Sequence, residues 1–125
     1  MKFLLDTHIL LWWLAQSRQL SKKTIETISN PTHIIFVSSA TAWEIAIKKA
    51  IGKLEVPDDL EDALSYNRFQ PLVINIRHAL IAGALPPHHT DPFDRILIAQ
   101  AECEELTLIT HDKVFSKYST PLLLV

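Results

Sequence analysis

The chain has 125 residues, enough for one domain with its own core and too few for two of ordinary size. Apolar residues make up 48% and charged residues 21%, with only two glycines, which excludes a disordered, collagenous or low-complexity chain. Twelve Lys plus Arg against fourteen Asp plus Glu leave a formal charge of −2, unlike a strongly basic nucleic-acid binder, and the single Cys103 allows no internal disulfide, so a reducing, cytoplasmic setting is expected.

The first apolar run, Phe3-Leu4-Leu5, reads as a strand, and residues 7–16 as the helix after it. Lys2, the apolar stretch and Ala15 imitate a secretory signal. Asp6 and His8 interrupt that stretch, however, and it is far too short to span a membrane, so the segment is read as part of the fold. Helix 21–29 follows with Ser21 as N-cap, then strand 34–37, then helix 39–51 with Ser39 as N-cap and Gly52 as terminator. A helix over 57–66, a strand at 72–74 and a helix over 77–84 come next. Asp91-Pro92, a cap followed by proline at the first helical position, opens helix 92–104, and strands at 106–109 and 122–125 complete the chain. Short buried-type strands alternating with helices predict an α/β fold, a three-layer α/β/α sandwich around a mostly parallel five-stranded sheet. Trp12 and Trp13 are adjacent in a helix, so both are not expected to face one core, which leaves one for an interface.

In open parallel sheets the functional crevice lies beyond the carboxyl ends of the strands. Asp6 closes FLLD, Ser38 and Ser39 close IIFVSS, and Thr110-His111-Asp112 closes LTLITHD. Glu44, one turn into the helix after IIFVSS, and Asp94, in the first turn after Asp91-Pro92, can reach the same edge. Four carboxylates brought together raise one another's pKa and call for a cation; hard oxygen ligands suit Mg²⁺, with Mn²⁺ as a substitute.

Each acid also has an ordinary reading. Asp6 and Asp112 are common strand-stopping turn residues, Glu44 has the i,i+4 spacing to pair with Lys48, and Asp91 and Asp94 have the spacing of a helix-capping pair. His8, His88, His89 and His111 show no ligand spacing on a helix and are read as hydrogen-bonding or surface histidines, not as metal ligands.

Three blocks carry a resemblance: FLLDTHILLWWL, SSATAWEIAIKKAIGKLEVP and LPPHHTDPFDRILIAQAECEELTLITHDKVFSKY. In this order and at these intervals the chain resembles PIN-domain ribonucleases, specifically the VapC-like toxins of prokaryotic toxin–antitoxin operons. The resemblance implies a metal-dependent ribonuclease whose acidic site maps onto Asp6, Glu44, Asp94 and Asp112. DPFDR offers both Asp91 and Asp94 for the third acid; the family pattern fits Asp94, with Ala99 and Ala101 completing it, and leaves Asp91 as a cap or outer residue. Thr7, Ser38 and Thr110 match positions that would orient carboxylates, and Arg95 would touch phosphate or pair with Asp91.

The implied chemistry is hydrolysis of an RNA phosphodiester by metal-activated water, leaving a 5′-phosphate. Asp6 and Asp112 would hold the principal ion, and Glu44 and Asp94 its surroundings or a second ion. A cognate antitoxin protein and a homodimer are implied as partners, with no membrane. Without the four site acids, ten acids face twelve bases, and Lys48, Lys49 and Lys53 form a basic cluster that reads either as a phosphate contact or as a solvated helix face. Two rivals are a non-catalytic PIN-like binding module and a phosphoacceptor receiver domain. The receiver pattern fails here, because a single Asp6 stands where an acidic pair belongs and His111-Asp112 stands where a lysine belongs.

Overall fold

The computed structural model describes residues 1–56 and 59–125. In chain order the elements are β1 (Lys2–Leu5), α1 (Thr7–Leu14), α2 (Lys22–Ser29), β2 (Ile34–Ser38), α3 (Ser39–Ala50), α4 (Leu60–Tyr66), β3 (Gln70–Leu72), α5 (Ile76–Ala84), α6 (Pro92–Glu104), β4 (Thr107–Thr110), a 3₁₀ turn (Lys113–Lys117) and β5 (Leu122–Leu124). The five strands form one sheet in the order β3-β2-β1-β4-β5, and every pairing is parallel.

Parallel neighbours need crossovers, and these are right-handed almost without exception, so the direction in which the chain moves across the sheet decides the face each helix covers. From β1 through β2 to β3 the chain moves one way; from β3 it jumps past β1 to β4 and continues to β5. Helices therefore fall on opposite faces. Phe3, Leu5, Ile35, Val37 and Ile109 point to the face covered by α1, α2 and α4, where Ile9, Leu10 and Ile28 pack with Ile45 of α3. Leu4 and Leu108 point to the other face, against Leu97, Ile98 and Ala101 of α6 and against Phe115 and Tyr118. Leu4, Leu5, Leu108 and Ile109 are wholly buried, and each contributes about 1.5–3 kcal/mol by leaving water. The order also differs from the 2-1-3-4-5 order of receiver domains, which removes that rival.

Helix ends explain most departures from the expected boundaries. α1 stops at Leu14 rather than at 16, because Gln16 takes φ 51° and the Gln16 and Ser17 amides donate back to the Trp13 and Trp12 carbonyls. The same left-handed stop ends α3 at Gly52, α4 at Arg68 and α6 at Glu105, and only the first of these carries the glycine that signals it. Ser38, not Ser39, caps α3 by accepting from the Ala40 amide, while Ser39 Oγ accepts from the Ile74 amide. That contact bends the chain out of the sheet, so β3 occupies 70–72 rather than 72–74, with Pro71 tolerated on the edge strand. Residues 57 and 58, the start of the expected helix 57–66, lie outside the described residues. Trp12 and Trp13 both pack half-buried against one core cluster, contrary to expectation: Trp13 lies beside Phe69 with its Nε1–H on Asn67 Oδ1, and Trp12 leans on His111.

Candidate active site

The reversal in winding direction lies between β1 and β4, and at such a switch point the helices diverge and leave a crevice at the carboxyl edge. Asp6 follows β1, and Asp112 lies two residues past β4. α3 brings Glu44 and α6 brings Asp94 to the same cavity, of about 430 Å³, which Asp91, His8 and His111 also line. All four expected acids meet there.

Asp6 stands at the N-cap position of α1, yet its carboxylate makes no cap hydrogen bond. Thr110 Oγ1 donates to Asp6 Oδ2 at 2.7 Å and accepts the Asp112 amide at 3.1 Å, so one hydroxyl ties the two strand ends together. Burial pushes the Asp6 carboxyl above the usual range, outweighing the lowering effects of the Thr110 hydrogen bond, the His8 charge and the Thr7 amide.

Glu44 is buried and held on both oxygens. Thr7 Oγ1 donates to Oε1 at 2.8 Å, and Lys48 Nζ meets Oε2 at 2.9 Å. Because the one Thr7 hydroxyl proton is spent on Glu44, Thr41 Oγ1, 3.1 Å away, is the donor to Thr7. The i,i+4 pair with Lys48 thus exists, within the site rather than on a solvated face.

Asp94 sits in the first turn of α6, which Asp91 caps by accepting from the Phe93 amide. Among the described residues no side-chain hydrogen bond reaches the Asp94 carboxylate; its Oδ2 lies 3.9 Å from His89 Nε2. Burial, and then the charges of Asp91, Asp6, Glu44 and Asp112, push its pKa up to about 7. Asp112 accepts from the Val114 amide through Oδ1, capping the 3₁₀ turn, and turns Oδ2 toward His89 Nε2 at 3.4 Å.

The sequence reads His89 as a hydrogen-bonding or surface histidine; it does hydrogen-bond, and the structure places it beside the acids. Its ring is buried and lies with Asp94 and Asp112 in a group whose ligand atoms are all within 4.8 Å of one another, the one such group of three among the described residues. Its placement depends on Arg95, which among the described residues forms no ion pair with Asp91. The guanidinium instead donates to the carbonyls of Leu85 at 2.8 Å, Pro86 at 3.1 Å, His89 at 3.2 Å and Gly83 at 3.5 Å, clamping the loop that carries His89. Of the small hydroxyl positions, Thr7 and Thr110 hold site carboxylates; Ser38 Oγ is spent on its cap.

Residues 3–121 match the PIN domain, and the chain belongs to that family. The fold is shared with VapBC2 from Rickettsia felis, solved on a promoter DNA fragment, at a TM-score of 0.76 and 19% identity over 99% of this chain and 98% of that one. It is shared as well with VapBC-1 from nontypeable Haemophilus influenzae, at 0.71 and 24% identity over 99% and 98%, and with DNA-bound VapBC from Salmonella typhimurium, at 0.73 and 18% over 98% and 97%. At these identities the likeness is one of fold. No curated protein matches the chain in sequence.

Proposed function

We propose that this PIN domain is a metal-dependent endoribonuclease, the cytoplasmic toxin of a toxin–antitoxin pair. The observation that carries the reading is the convergence of Asp6, Glu44, Asp94 and Asp112 on one cavity, with Asp94 pushed up to about 7 by burial and by the neighbouring acids. The donor set fits a divalent cation: hard carboxylate oxygens, two of them fixed by hydroxyls, beside open space for water and phosphate. Asp6 and Asp112, with Glu44 and Asp94, would hold Mg²⁺ or Mn²⁺. A bound divalent ion supplies a water of lowered pKa and offsets charge on the phosphate and the leaving oxygen.

The chain's own groups do the positioning. Thr110 keeps Asp6 turned into the cavity, and Thr7 and Lys48 keep Glu44 there. A second concavity of about 610 Å³ shares His8, Trp12 and Lys48 with the first and adds Lys53. An aromatic ring and lysines beside an acidic site favour a single-stranded nucleic acid, with bases to stack and phosphates to contact. Trp43, Ile47 and Ile51 are exposed at i, i+4 and i+8 on and just beyond α3, an apolar stripe that supports a protein contact, either the antitoxin or a second copy. The chains it resembles include a toxin–antitoxin complex from Klebsiella pneumoniae, which supports the antitoxin.

Partner-free protein incubated with labelled RNA in EDTA, Mg²⁺ or Mn²⁺, beside Asp6→Asn, tests the reading. Cleavage that requires the ion and vanishes in the variant is expected. Folded protein that cleaves in no ion, on a broad RNA panel, would return the chain to the non-catalytic binding modules.

A further inference from the structure

The orientation of the His89 ring can be read from the hydrogens around Tyr118. The Tyr118 hydroxyl accepts the His89 backbone amide at 2.9 Å and lies 3.2 Å from the Pro86 carbonyl, which can only accept, so its single proton goes to Pro86. His89 Nδ1, 3.2 Å from the same oxygen, can therefore join it only as a donor. Tyr118 thus takes up Nδ1, and Nε2 points outward, 3.4 Å from Asp112 Oδ2 and 3.9 Å from Asp94 Oδ2. Three ligand atoms, one from each residue, then lie within 4.8 Å of one another.

The ring is also held in place. It stacks on Tyr118 at 21° between planes and touches Phe115 at 4.6 Å between centroids, its side chain is only 7% exposed, and Arg95 fixes its backbone. A ring this buried and this constrained keeps Nε2 aimed at the two carboxylates. His8 and His111 line the acidic cavity, yet among the described residues neither groups with two carboxylates.

We propose that His89 Nε2, with the carboxylates of Asp94 and Asp112, forms a mixed nitrogen–oxygen site for a divalent transition-metal ion. The proposal rests on the metal-dependent reading above and adds to its all-oxygen donor set. An imidazole ligand shifts preference from Mg²⁺, which favours oxygen and retained water, toward ions that accept nitrogen. Tyr118 then acts as a positioning residue, holding the proton on Nδ1 so that Nε2 stays available.

The test uses the whole chain, stripped with EDTA and titrated with Mn²⁺ alone, read by pulsed electron paramagnetic resonance for nitrogen coupling to the ion, with Mg²⁺ as competitor. One nitrogen coupling is expected in the wild type, changed in character when histidine is labelled with ¹⁵N, lost in His89→Gln and kept in His8→Ala and His111→Ala. The Mn²⁺ over Mg²⁺ preference should fall about tenfold or more in His89→Gln. Tyr118→Phe should keep the coupling while weakening Mn²⁺ binding by roughly 10–100-fold. Mn²⁺ bound without nitrogen coupling, or coupling that survives His89→Gln, overturns the proposal and leaves the metal-dependent reading standing. Because ¹⁵N labelling needs no substitution, the wild type alone can refute the proposal if His89→Gln does not fold. Wild type that binds no Mn²⁺ and cleaves nothing overturns both.

Discussion

The two halves of the acidic crevice are built on opposite plans. On the β1 and α3 side, Asp6 and Glu44 are buried, and three of their four carboxylate oxygens meet a hydroxyl or an ammonium: Thr110 on Asp6 Oδ2, Thr7 and Lys48 on Glu44, with Thr41 behind Thr7. On the α6 and β4 side, Asp94 lacks a side-chain hydrogen bond among the described residues, and Asp112 Oδ2 has only the long 3.4 Å contact with His89 Nε2 among the described side chains. The first half is compensated from within the fold, and the second waits for a charge from outside. A pre-organised carboxylate fixes geometry, and an uncompensated one supplies affinity, so a cation site gains from having both.

The largest expected effect comes from removing an acid of the compensated half. Losing the stabilisation a bound ion gives, worth several kcal/mol, should make Asp6→Asn at least on the order of 10³-fold slower in RNA cleavage. Its thermal midpoint should hold or rise, because burial already disfavours the Asp6 charge. A large fall in stability with activity intact would show that Asp6 is a structural turn residue. Thr110→Val sharpens the same point without touching a carboxylate. It releases both Asp6 Oδ2 and the Asp112 amide, and cleavage should drop roughly 10–100-fold in a titration of activity against Mn²⁺, most of it as weaker ion binding.

The uncompensated half has its own signature, in stability against pH. In the folded chain Asp94 binds its proton up to about pH 7, against about 3.8 for an unperturbed carboxyl. Between those values the folded state holds a proton that the unfolded state has lost, so stability of the ion-free protein falls as pH rises through the window and levels off above about 7. Discounted for the quarter of the side chain open to solvent, the fall is about 1–2 kcal/mol, readable in urea melts at pH 5 and 8. Asp94→Asn should flatten that profile, and saturating Mn²⁺ should reverse it in the wild type alone. A wild-type profile that is already flat would mean that Asp94 is compensated in solution.

The carboxylates of both halves were more legible in the sequence than the histidine beside them, and the reason is local. Asp6 and Asp112 follow strands, and Glu44 and Asp94 lie in the first two turns of helices, so alternation of apolar runs and caps is enough to place them on one edge. His89 sits in a loop whose shape is set by Arg95 reaching four carbonyls and by Tyr118 arriving from 29 residues away. Carbonyl partners leave no trace in residue identity, which is why Arg95 reads as a phosphate or Asp91 contact and His89 as a hydrogen-bonding or surface group away from the acids. β3 slipped for a similar reason: Leu72, Val73 and Ile74 are apolar enough for a strand, but the Ser39 hydroxyl takes the Ile74 amide and Val73 is left exposed. The three non-glycine left-handed helix ends, at Gln16, Arg68 and Glu105, have no signal of their own.

The smallest effect expected lies outside both halves and tests what the crevice is for. Lys53 lines the concavity that adjoins the acidic cavity, across Trp12 and Lys48 from the carboxylates. If RNA runs through that concavity, Lys53 neutralises about one phosphate, and removing it releases about one fewer counterion on binding. Lys53→Ala should then weaken binding of catalytically silent Asp6→Asn protein to single-stranded RNA by a few-fold at low salt and lower the slope of log affinity against log salt by about 0.7. Cleavage by the otherwise wild-type Lys53→Ala protein at saturating RNA should be unchanged, because Lys53 makes no contact with the four acids. An unchanged slope would route the RNA away from this concavity and return Lys53 to a solvated helix terminus. A lower turnover at saturation would instead show that the two cavities act as one site.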